Sequence, residues 1–154
     1  MSLTRQDIMD RLVIEPIKPE DVSCVTAIEE AIFPDPWKEA DFASLVDRED
    51  RGYIVARVDG EVIGGAAYHN IIGEVEITNV ELKSEYRGYG ISRMILEKLI
   101  EAGRSIGGSS YTLEVRVSNS IAIHLYESLG FKSEGVRKNF YSKPTEDALI
   151  MWLR

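Results

Sequence analysis

Apolar residues recur along this chain with two spacings, one typical of helices and one typical of strands. Residues 20–32 and 39–46 carry apolar side chains three and four positions apart, which predicts two amphipathic helices. The β-prone runs 53–58 and 61–69 are separated by the pair Asp59-Gly60. An Asp-Gly pair between such runs predicts a β-hairpin, because both positions tolerate a positive φ.

The second half of the chain continues with further strands and helices. Residues 74–82 alternate between two faces and predict a strand. A helix is predicted over 91–106, ending at Gly107-Gly108, and another over 121–128, ending before Gly130. Further strands are predicted over 12–17, 111–117, 131–136 and 147–153. The fold class is therefore α/β (α+β), with a mixed, mostly antiparallel central sheet of six to seven strands and about four flanking helices.

Length and composition predict a single domain over 1–154, beginning with a polar N-terminal extension over 1–11. No linker or repeat interrupts the 154 residues. Residues 1–11 lack an apolar core, and no apolar run approaches about 20 residues, so we expect no secretory signal and no membrane span. The net charge of −8 argues against a nucleic-acid binder. The single cysteine, Cys24, fits a cytoplasmic location, and its place in a predicted helix suggests a small core residue.

A turn rich in glycine and basic residues lies between the fourth predicted strand and the helix that follows it. Gly88 and Gly90 let the backbone approach an anion closely, and the free N–H groups of the first helical turn point at such a ligand. Arg87 and Arg93 add cationic donors. The spacing is neither that of a Walker A loop nor that of a dinucleotide-binding turn. Two glycines before a helix form a tight connection without a ligand about as often as they form an anion site.

This turn resembles the acyl-CoA loop of the GNAT acetyltransferase family, whose pattern is Q/R-x-x-G-x-G/A. The stretch reads Arg87-Gly88-Tyr89-Gly90-Ile91-Ser92, with serine where the family usually has glycine or alanine. The resemblance implies a GNAT fold and acetyl-CoA as cosubstrate, with the backbone amides of this loop around the pyrophosphate. It also implies that the backbone of Val80, Glu81 and Leu82 pairs with the pantetheine arm like an added strand.

A second stretch, residues 113–131, resembles the RimI-like branch of the same family, the ribosomal-protein-alanine N-acetyltransferases. Shorter agreements lie at 33–37, 79–80, 137–141 and 146–151. This resemblance implies that the chain acetylates the N-terminal α-amine of a protein or peptide, with a ribosomal protein as a candidate partner. Two alternatives remain open: the acceptor could be a lysine side chain or a small-molecule amine, or the chain could bind CoA without catalysis. The sequence also leaves open whether the protein is a monomer or a dimer.

Glu114 is the candidate general base. Strand alternation places it with Thr112 and Arg116 on the face opposite Leu113 and Val115, so it need not be buried. A carboxylate there could take a proton from an acceptor amine directly or through one water. The residues alone favour a solvent-facing carboxylate paired with Arg116 or another neighbour. The resemblance instead aligns Glu114 with the catalytic base of the family.

Tyr126 is the candidate general acid, because its helix follows the strand of Glu114 and a phenol could protonate the departing CoA thiolate. A core tyrosine with its hydroxyl at the surface is the ordinary alternative, and the resemblance places the family's acid at this position.

Asn119 is predicted to cap that helix, and the resemblance implies a second contact with the coenzyme A arm. We expect a backbone amide near Val80 to be the oxyanion donor.

Other polar residues give weaker indications of a functional site. His69 and His124 have no metal-ligand partner at i+4 and no cysteine pair nearby, so we expect no metal site. Glu76 and Glu81 lie on the strand beside the expected site, where a carboxylate could hold a cationic amine, and they fit solvated surface charges equally well. Because the sequence has no Gly-x-Ser-x-Gly motif, direct attack by a bound amine is the simpler mechanism.

Overall fold

The order of helices and strands in the structure follows the hydrophobic pattern of the chain. The computed structural model describes residues 4–154. Within that range the strands are β1 (Leu12–Pro16), β2 (Arg51–Val58), β3 (Glu61–Ile71), β4 (Glu74–Leu82), β5 (Ser110–Arg116), β6 (Lys132–Tyr141) and β7 (Glu146–Leu153). The α-helices are α1 (Arg5–Arg11), α2 (Val22–Ile32), α3 (Glu39–Ala43), α4 (Ile91–Ser105) and α5 (Ser120–Ser128), and 3₁₀ turns occupy Pro19–Asp21 and Ser84–Tyr86.

All of these strands form one sheet, in the order β1-β2-β3-β4-β5-β7-β6. Neighbouring strands are antiparallel except β4 and β5, which run parallel. Helix α4 is the crossover between those two strands, because parallel neighbours need a long connection. The predicted sheet of six to seven mostly antiparallel strands is confirmed, and the described residues contain five α-helices where about four were predicted.

The additional helix is α1, which lies in the stretch predicted to be only a polar extension. The Thr4 hydroxyl accepts a hydrogen bond from the Asp7 amide at 3.1 Å, and the Asp7 carboxylate accepts one from the Thr4 amide at 3.0 Å. This reciprocal cap satisfies amides that a helix start leaves unpaired. Ile8 is buried against the main core. A helix with one fully buried side chain shows no hydrophobic period, so the pattern did not reveal it. The rest of the extension, residues 1–3, lies outside the described part of the chain.

The sheet has a hydrophobic core on each face. The larger core lies beneath α4, whose Ile95, Leu96 and Leu99 are fully buried. The smaller core lies beneath α2 and α3 and includes Val25 and Phe42. The amphipathic pattern therefore places the long helix α4 correctly, and β4 lies between the two cores.

Cys24 is exposed on α2, so the prediction of a core cysteine is wrong. The buried apolar positions of this helix are Val25 and Ile28. Thr26 and Glu29 are also buried, so the buried face of the helix is centred between Val25 and Glu29, and Cys24 lies about 120° around the helix from that centre. Proximity in sequence to apolar residues did not indicate the same helical face.

Two predicted boundaries differ from the structure by three residues or more. Helix α3 ends at Ala43 rather than at 46, yet Leu45 in the following turn stays buried. Strand β6 continues to Tyr141, beyond the predicted end at 136. It is an edge strand with most of its side chains exposed, so its sequence carries no alternation that would mark its length.

The buried ion pair between Arg57 and Asp21 should contribute strongly to stability. Two guanidinium nitrogens of Arg57 each donate to one Asp21 carboxylate oxygen at 2.7 Å, and Arg57 Nε donates to Glu15 at 2.7 Å. The Arg57→Met substitution leaves Asp21 buried without its cation. We expect urea unfolding of this variant to show a loss of about 3 kcal/mol.

The exposed pair Arg11–Asp59 offers a matched control. Its side chains are 45% and 59% exposed, so Arg11→Met should cost less than about 1 kcal/mol. Hydrogen bonding to Arg57 lowers the pKa of Asp21 from its ordinary 3.8. The stabilisation is therefore present above pH 3.8 and is lost as the pH falls through the lowered pKa, so the wild type should lose its advantage over Arg57→Met in acid. Equal losses for the two variants at neutral pH would contradict this assignment.

Candidate active site

Strands β4 and β5 stop pairing partway along the sheet, and we call the space between their unpaired parts the cleft. The two strands pair at three positions, from Glu74 opposite Ser110 to Glu76 opposite Thr112. Beyond Glu76, β4 stays paired with β3 on its other side as far as Leu82. Its edge toward β5 therefore carries backbone N–H and C=O groups that no strand satisfies, and an extended ligand can pair with such an edge.

A β-bulge interrupts β4 beside this cleft. Ala67 pairs with Thr78 and Gly65 with Glu81, so the single residue between them on β3 faces both Asn79 and Val80. Asn79 has a φ of 50°, which is the left-handed region. A bulge of this kind turns the strand and redirects backbone groups. The predicted two-face alternation of β4 is therefore broken after Thr78.

The glycine-rich turn leads from the end of β4 into α4, as the sequence predicts. Gly88 and Gly90 have φ values of 85° and 82°, and Gly90 is the N-cap residue of α4. Because glycine offers no capping side chain, the first amides of α4 are free to bind an anion. The space beside Gly88 is open, and we call this turn together with the first amides of α4 the anion cradle.

The side chains of the predicted loop differ in what they can contribute. Arg87 is exposed and Ser92 is half-buried, so both are available to a ligand. Ile91 is buried in the core and can offer only its backbone. Arg93, which the sequence suggested as a phosphate ligand, donates instead to Glu97 at 3.0 Å and to Ser128 at 2.6 Å.

Glu114 lies on β5, two positions beyond the last pair with β4. The predicted alternation is confirmed, because Leu113 and Val115 are buried and Glu114 is partly exposed. Its carboxylate lies 3.4 Å from a guanidinium nitrogen of Arg137 on β6. Arg116, the partner considered from sequence, pairs with Glu146 instead (3.2 Å).

Tyr126 lies on α5 and is buried, with its ring 6.0 Å from that of Phe131 between centroids. Burial, and secondarily Tyr141, raise the pKa of its phenol well above the ordinary value of 10. The phenol therefore keeps its proton at neutral pH and can act as a hydrogen-bond or proton donor.

Tyr141, at the end of β6, joins this group, and the residue pattern did not single it out. Burial and then the Glu114 charge raise the pKa of Tyr141 to about 12. The Arg116 guanidinium lies over its ring at 4.6 Å. The Glu114 charge acts on Tyr141, and Tyr141 in turn acts on Tyr126, so the predicted base and the predicted acid both lie near Tyr141. Tyr141 ends an edge strand whose side chains are mostly exposed, so no hydrophobic alternation in the sequence marks this residue.

Asn119 caps α5, as predicted. Its side-chain oxygen accepts a hydrogen bond from the Ala122 amide at 3.2 Å. Two apolar side chains beside it, Val117 and Ile121, are 45% and 85% exposed. The start of α5 therefore presents an apolar surface next to a polar cap.

Two loops meet at the same end of the sheet. Asp35, between α2 and α3, accepts hydrogen bonds from Lys143 Nζ at 2.9 Å and from the Ser142 hydroxyl at 3.0 Å. We call this contact the loop bridge. Ser142 and Lys143 directly follow Tyr141, so the bridge links the loop after α2 to the side of the cleft that holds Glu114.

The two other strand glutamates differ from each other. Glu76 is exposed. Glu81 is buried and accepts a hydrogen bond from the Tyr53 hydroxyl, so it is not a solvated surface charge. Burial, followed by nearby Glu29, raises the pKa of Glu81 to about 9.

The structure has other surface features besides the cleft. An open groove of about 910 Å³ runs between α2, the β2–β3 turn and residues 83–87, and Arg87 is the predicted site residue that lines it. His124 is exposed, and His69 lies 3.4 Å from Asp50. Within residues 4–154 no three His, Cys, Asp or Glu side chains are grouped as metal ligands, and no helix is long and apolar enough to cross a membrane.

The chain matches known proteins over most of its length. Residues 23–131 match a family model described as "Acetyltransferase (GNAT) family". The ribosomal protein bS18-alanine N-acetyltransferase of Escherichia coli (strain K12) is 33% identical, over 91% of this chain and 95% of that protein. The protein of that name from Haemophilus influenzae is 31% identical, over 90% and 96%. The crystal structure of the ribosomal-protein-S18-alanine N-acetyltransferase from Escherichia coli has a TM-score of 0.83 at 33% identity, covering 92% of each chain.

Proposed function

Because this chain belongs to the GNAT family of acetyltransferases, we propose that it transfers the acetyl group of acetyl-CoA to the N-terminal α-amine of a protein. The observation that carries the transfer chemistry is the cleft between β4 and β5, which gathers a free strand edge, an anion cradle, a carboxylate and a protonated phenol. The acceptor is inferred from relatives that match nearly the whole chain and are named ribosomal protein bS18-alanine N-acetyltransferase.

Acetyl-CoA supplies an acetyl group activated as a thioester, and the cleft suits both of its extended parts. The unpaired edge of β4 at 80–82 fits the pantetheine arm, because the amides of that arm can pair with a free strand edge. The turn 87–92 and the first amides of α4 fit the pyrophosphate. Asn119 at the start of α5 is proposed to contact the arm from the opposite wall.

Glu114 is proposed as the general base that takes the proton from the acceptor amine, directly or through one water. An α-amine has an ordinary pKa of about 7.7–8.0, whereas a lysine amine has one near 10.4. An acceptor with the lower pKa needs only modest help at neutral pH. A partly exposed carboxylate is a sufficient base for the α-amine, which supports a chain end as the acceptor.

Tyr126 is proposed as the general acid that donates its proton to the departing thiolate. Its raised pKa keeps the phenol protonated over the whole neutral range. The bulge at Asn79 and Val80 interrupts the regular pairing of β4, and we assign the Val80 amide to the thioester oxygen as negative charge develops there. No covalent acyl-enzyme is needed, because the amine attacks directly.

The acceptor is proposed to be a protein that begins with alanine, such as a ribosomal protein of the bS18 kind. The test is to supply acetyl-CoA with three acceptors: an alanine-initiated bS18-type peptide, the same peptide with its N-terminus blocked but a lysine retained, and a small primary amine. Release of free thiol should occur with the first acceptor at a rate at least about 100-fold above the others. Turnover on the small amine with none on any free N-terminus would overturn the proposal.

A further inference from the structure

Glu81 is a buried carboxyl group that the proposed transfer chemistry leaves without a role for its side chain. The residue is 3% exposed, on the α2 face of β4. Its Oε1 accepts a hydrogen bond from the Tyr53 hydroxyl at 2.5 Å. Its Oε2 is buried without a hydrogen-bond partner in the described part of the chain. A buried polar atom in that position is costly unless a proton or a donor satisfies it.

A second buried carboxylate, Glu29 of α2, lies within hydrogen-bonding reach of Glu81. Both of its oxygens already accept hydrogen bonds. The Trp37 amide donates to Oε2 at 2.9 Å, and the Asn79 side-chain amide lies 3.1 Å from each oxygen. Two neighbouring carboxylates repel each other when both are ionised, and one proton between them removes the repulsion. A proton on Glu81 would also give its orphaned oxygen a bond to Glu29.

The surroundings of this carboxyl pair contain no compensating cation among the described residues. The titratable groups that act on Glu81 are Glu29 from α2 and Tyr53 from β2. Strand β3 faces the pair with glycine, and a Cβ at Gly65 would lie 2.2 Å from the Tyr53 ring. Phe42 of α3 packs edge-on against that ring at 5.6 Å. The apolar, uncharged walls favour the neutral acid at Glu81 over a second carboxylate.

We propose that Glu81 is a positioning residue of the acetyl-transfer site, acting as a neutral carboxylic acid that donates a hydrogen bond to Glu29. Glu29 in turn holds the Trp37 amide and the Asn79 side chain. The shared proton therefore ties the loop after α2 to the bulge of β4.

This tie connects the backbone of β4 beside the cleft with the loop between α2 and α3. Its effect on catalysis rests on the proposed function. The bulge sets the backbone of Val80, and the loop carries Asp35 of the loop bridge. When Glu81 ionises, a second negative charge appears beside Glu29, and the loop loses its fixed attachment to the bulge. The affinity for the acceptor should then fall. The β4 edge at 81–82 stays paired with β3, and the CoA cradle at the start of α4 lies outside this network, so acetyl-CoA binding should be spared.

Kinetics of Glu81 variants test the tie. Glu81→Leu removes the donor and should raise the acceptor KM by about 10-fold or more, with the KM for acetyl-CoA little changed. Glu81→Gln keeps an acceptor oxygen for Tyr53 and an N–H donor for Glu29, so it should rescue the acceptor KM. Glu74→Leu, an exposed change on the same strand, is the matched control. Equal acceptor KM values for Glu81→Leu and Glu74→Leu would overturn the proposal.

The pH dependence separates this role from simple packing. In the wild type the acceptor KM should rise as the pH passes about 9, where Glu81 loses its proton. In Glu81→Gln that rise should be absent, because the amide does not ionise. An identical alkaline rise in both proteins would contradict a role for the Glu81 proton.

Stability gives a readout that needs no turnover. Because the folded pKa of Glu81 is raised from 4.5 to about 9, its contribution to stability is fully present below pH 4.5 and is lost progressively up to about pH 9. Glu81→Gln should therefore gain stability relative to the wild type across that range. The infrared carbonyl band of a protonated carboxylic acid at neutral pH should be present in the wild type and absent in the variant. Parallel stability curves for the two proteins and no such band would contradict a protonated Glu81, even if N-terminal acetylation is confirmed. Diverging stability curves and a band in the wild type would support a protonated Glu81, even if N-terminal acetylation is not found.

Discussion

Replacing Glu114 by glutamine should lower kcat for an alanine-initiated peptide by about 100-fold or more, while acetyl-CoA still binds. Glutamine has the same shape but cannot accept the proton of the acceptor ammonium. The loss should narrow as the pH rises past about 8, because the α-amine then sheds its proton without help. Initial rates of thiol release from neutral to alkaline pH, with acetyl-CoA binding measured by calorimetry, provide the check.

Glu74→Gln is the matched control for this substitution. Glu74 is an exposed glutamate at the start of β4, at the closed end of the β4–β5 pair. The control should keep the wild-type rate at every pH. If Glu114→Gln also keeps the full rate, the proton leaves the amine by another path and the assignment of the base is wrong.

Replacing Tyr126 by phenylalanine should lower kcat by about 100-fold with little change in either KM. The ring keeps its packing against Phe131, but the departing thiolate loses its proton donor. Since burial raises the pKa of Tyr126, the wild type should show no alkaline loss of this donor up to pH 10. A donor with an ordinary pKa would titrate in that range. Steady-state rates with an alanine-initiated peptide and saturating acetyl-CoA measure the effect.

Tyr111→Phe distinguishes the chemistry from the loss of any buried hydroxyl. Tyr111 of β5 is equally buried, and its hydroxyl donates to the Ile100 carbonyl at 2.9 Å. Its removal should cost about 1 kcal/mol of stability and leave kcat unchanged. If the two variants lose stability alike and neither loses kcat, Tyr126 is a core tyrosine only.

Local patterns in the sequence predicted the structure correctly wherever one short segment determines its own conformation. The Asp59-Gly60 hairpin is confirmed, with φ values of 51° and 81° at the two positions. The long helix α4 and its glycine start are confirmed because apolar spacing and glycine conformation act within a few residues. The N-cap at Asn119 is confirmed for the same reason. The alternation of β5 placed Glu114 away from the core correctly.

Features that depend on two distant segments were beyond the reach of these patterns. The bulge at Asn79 exists only in the register between β3 and β4, and a single strand sequence does not show that register. The burial of Glu81 follows from that bulge together with two distant residues. Glu29 of α2 lies 52 positions before Glu81 in the sequence, and Tyr53 lies 28 positions before it. Tyr141 reaches Glu114 through the pairing of β6 with β7, and the exposed strand β6 carries no alternation to reveal it.

The most direct test of N-terminal acetyl transfer is a competition between two amines within one acceptor. An alanine-initiated bS18-type peptide that also carries an internal lysine would be incubated with acetyl-CoA, stopped after limited turnover and sequenced by tandem mass spectrometry. We predict the acetyl group on the alanine α-nitrogen, with none detected on the lysine side chain. Acetylation of the lysine with a free N-terminus remaining would contradict the proposed function.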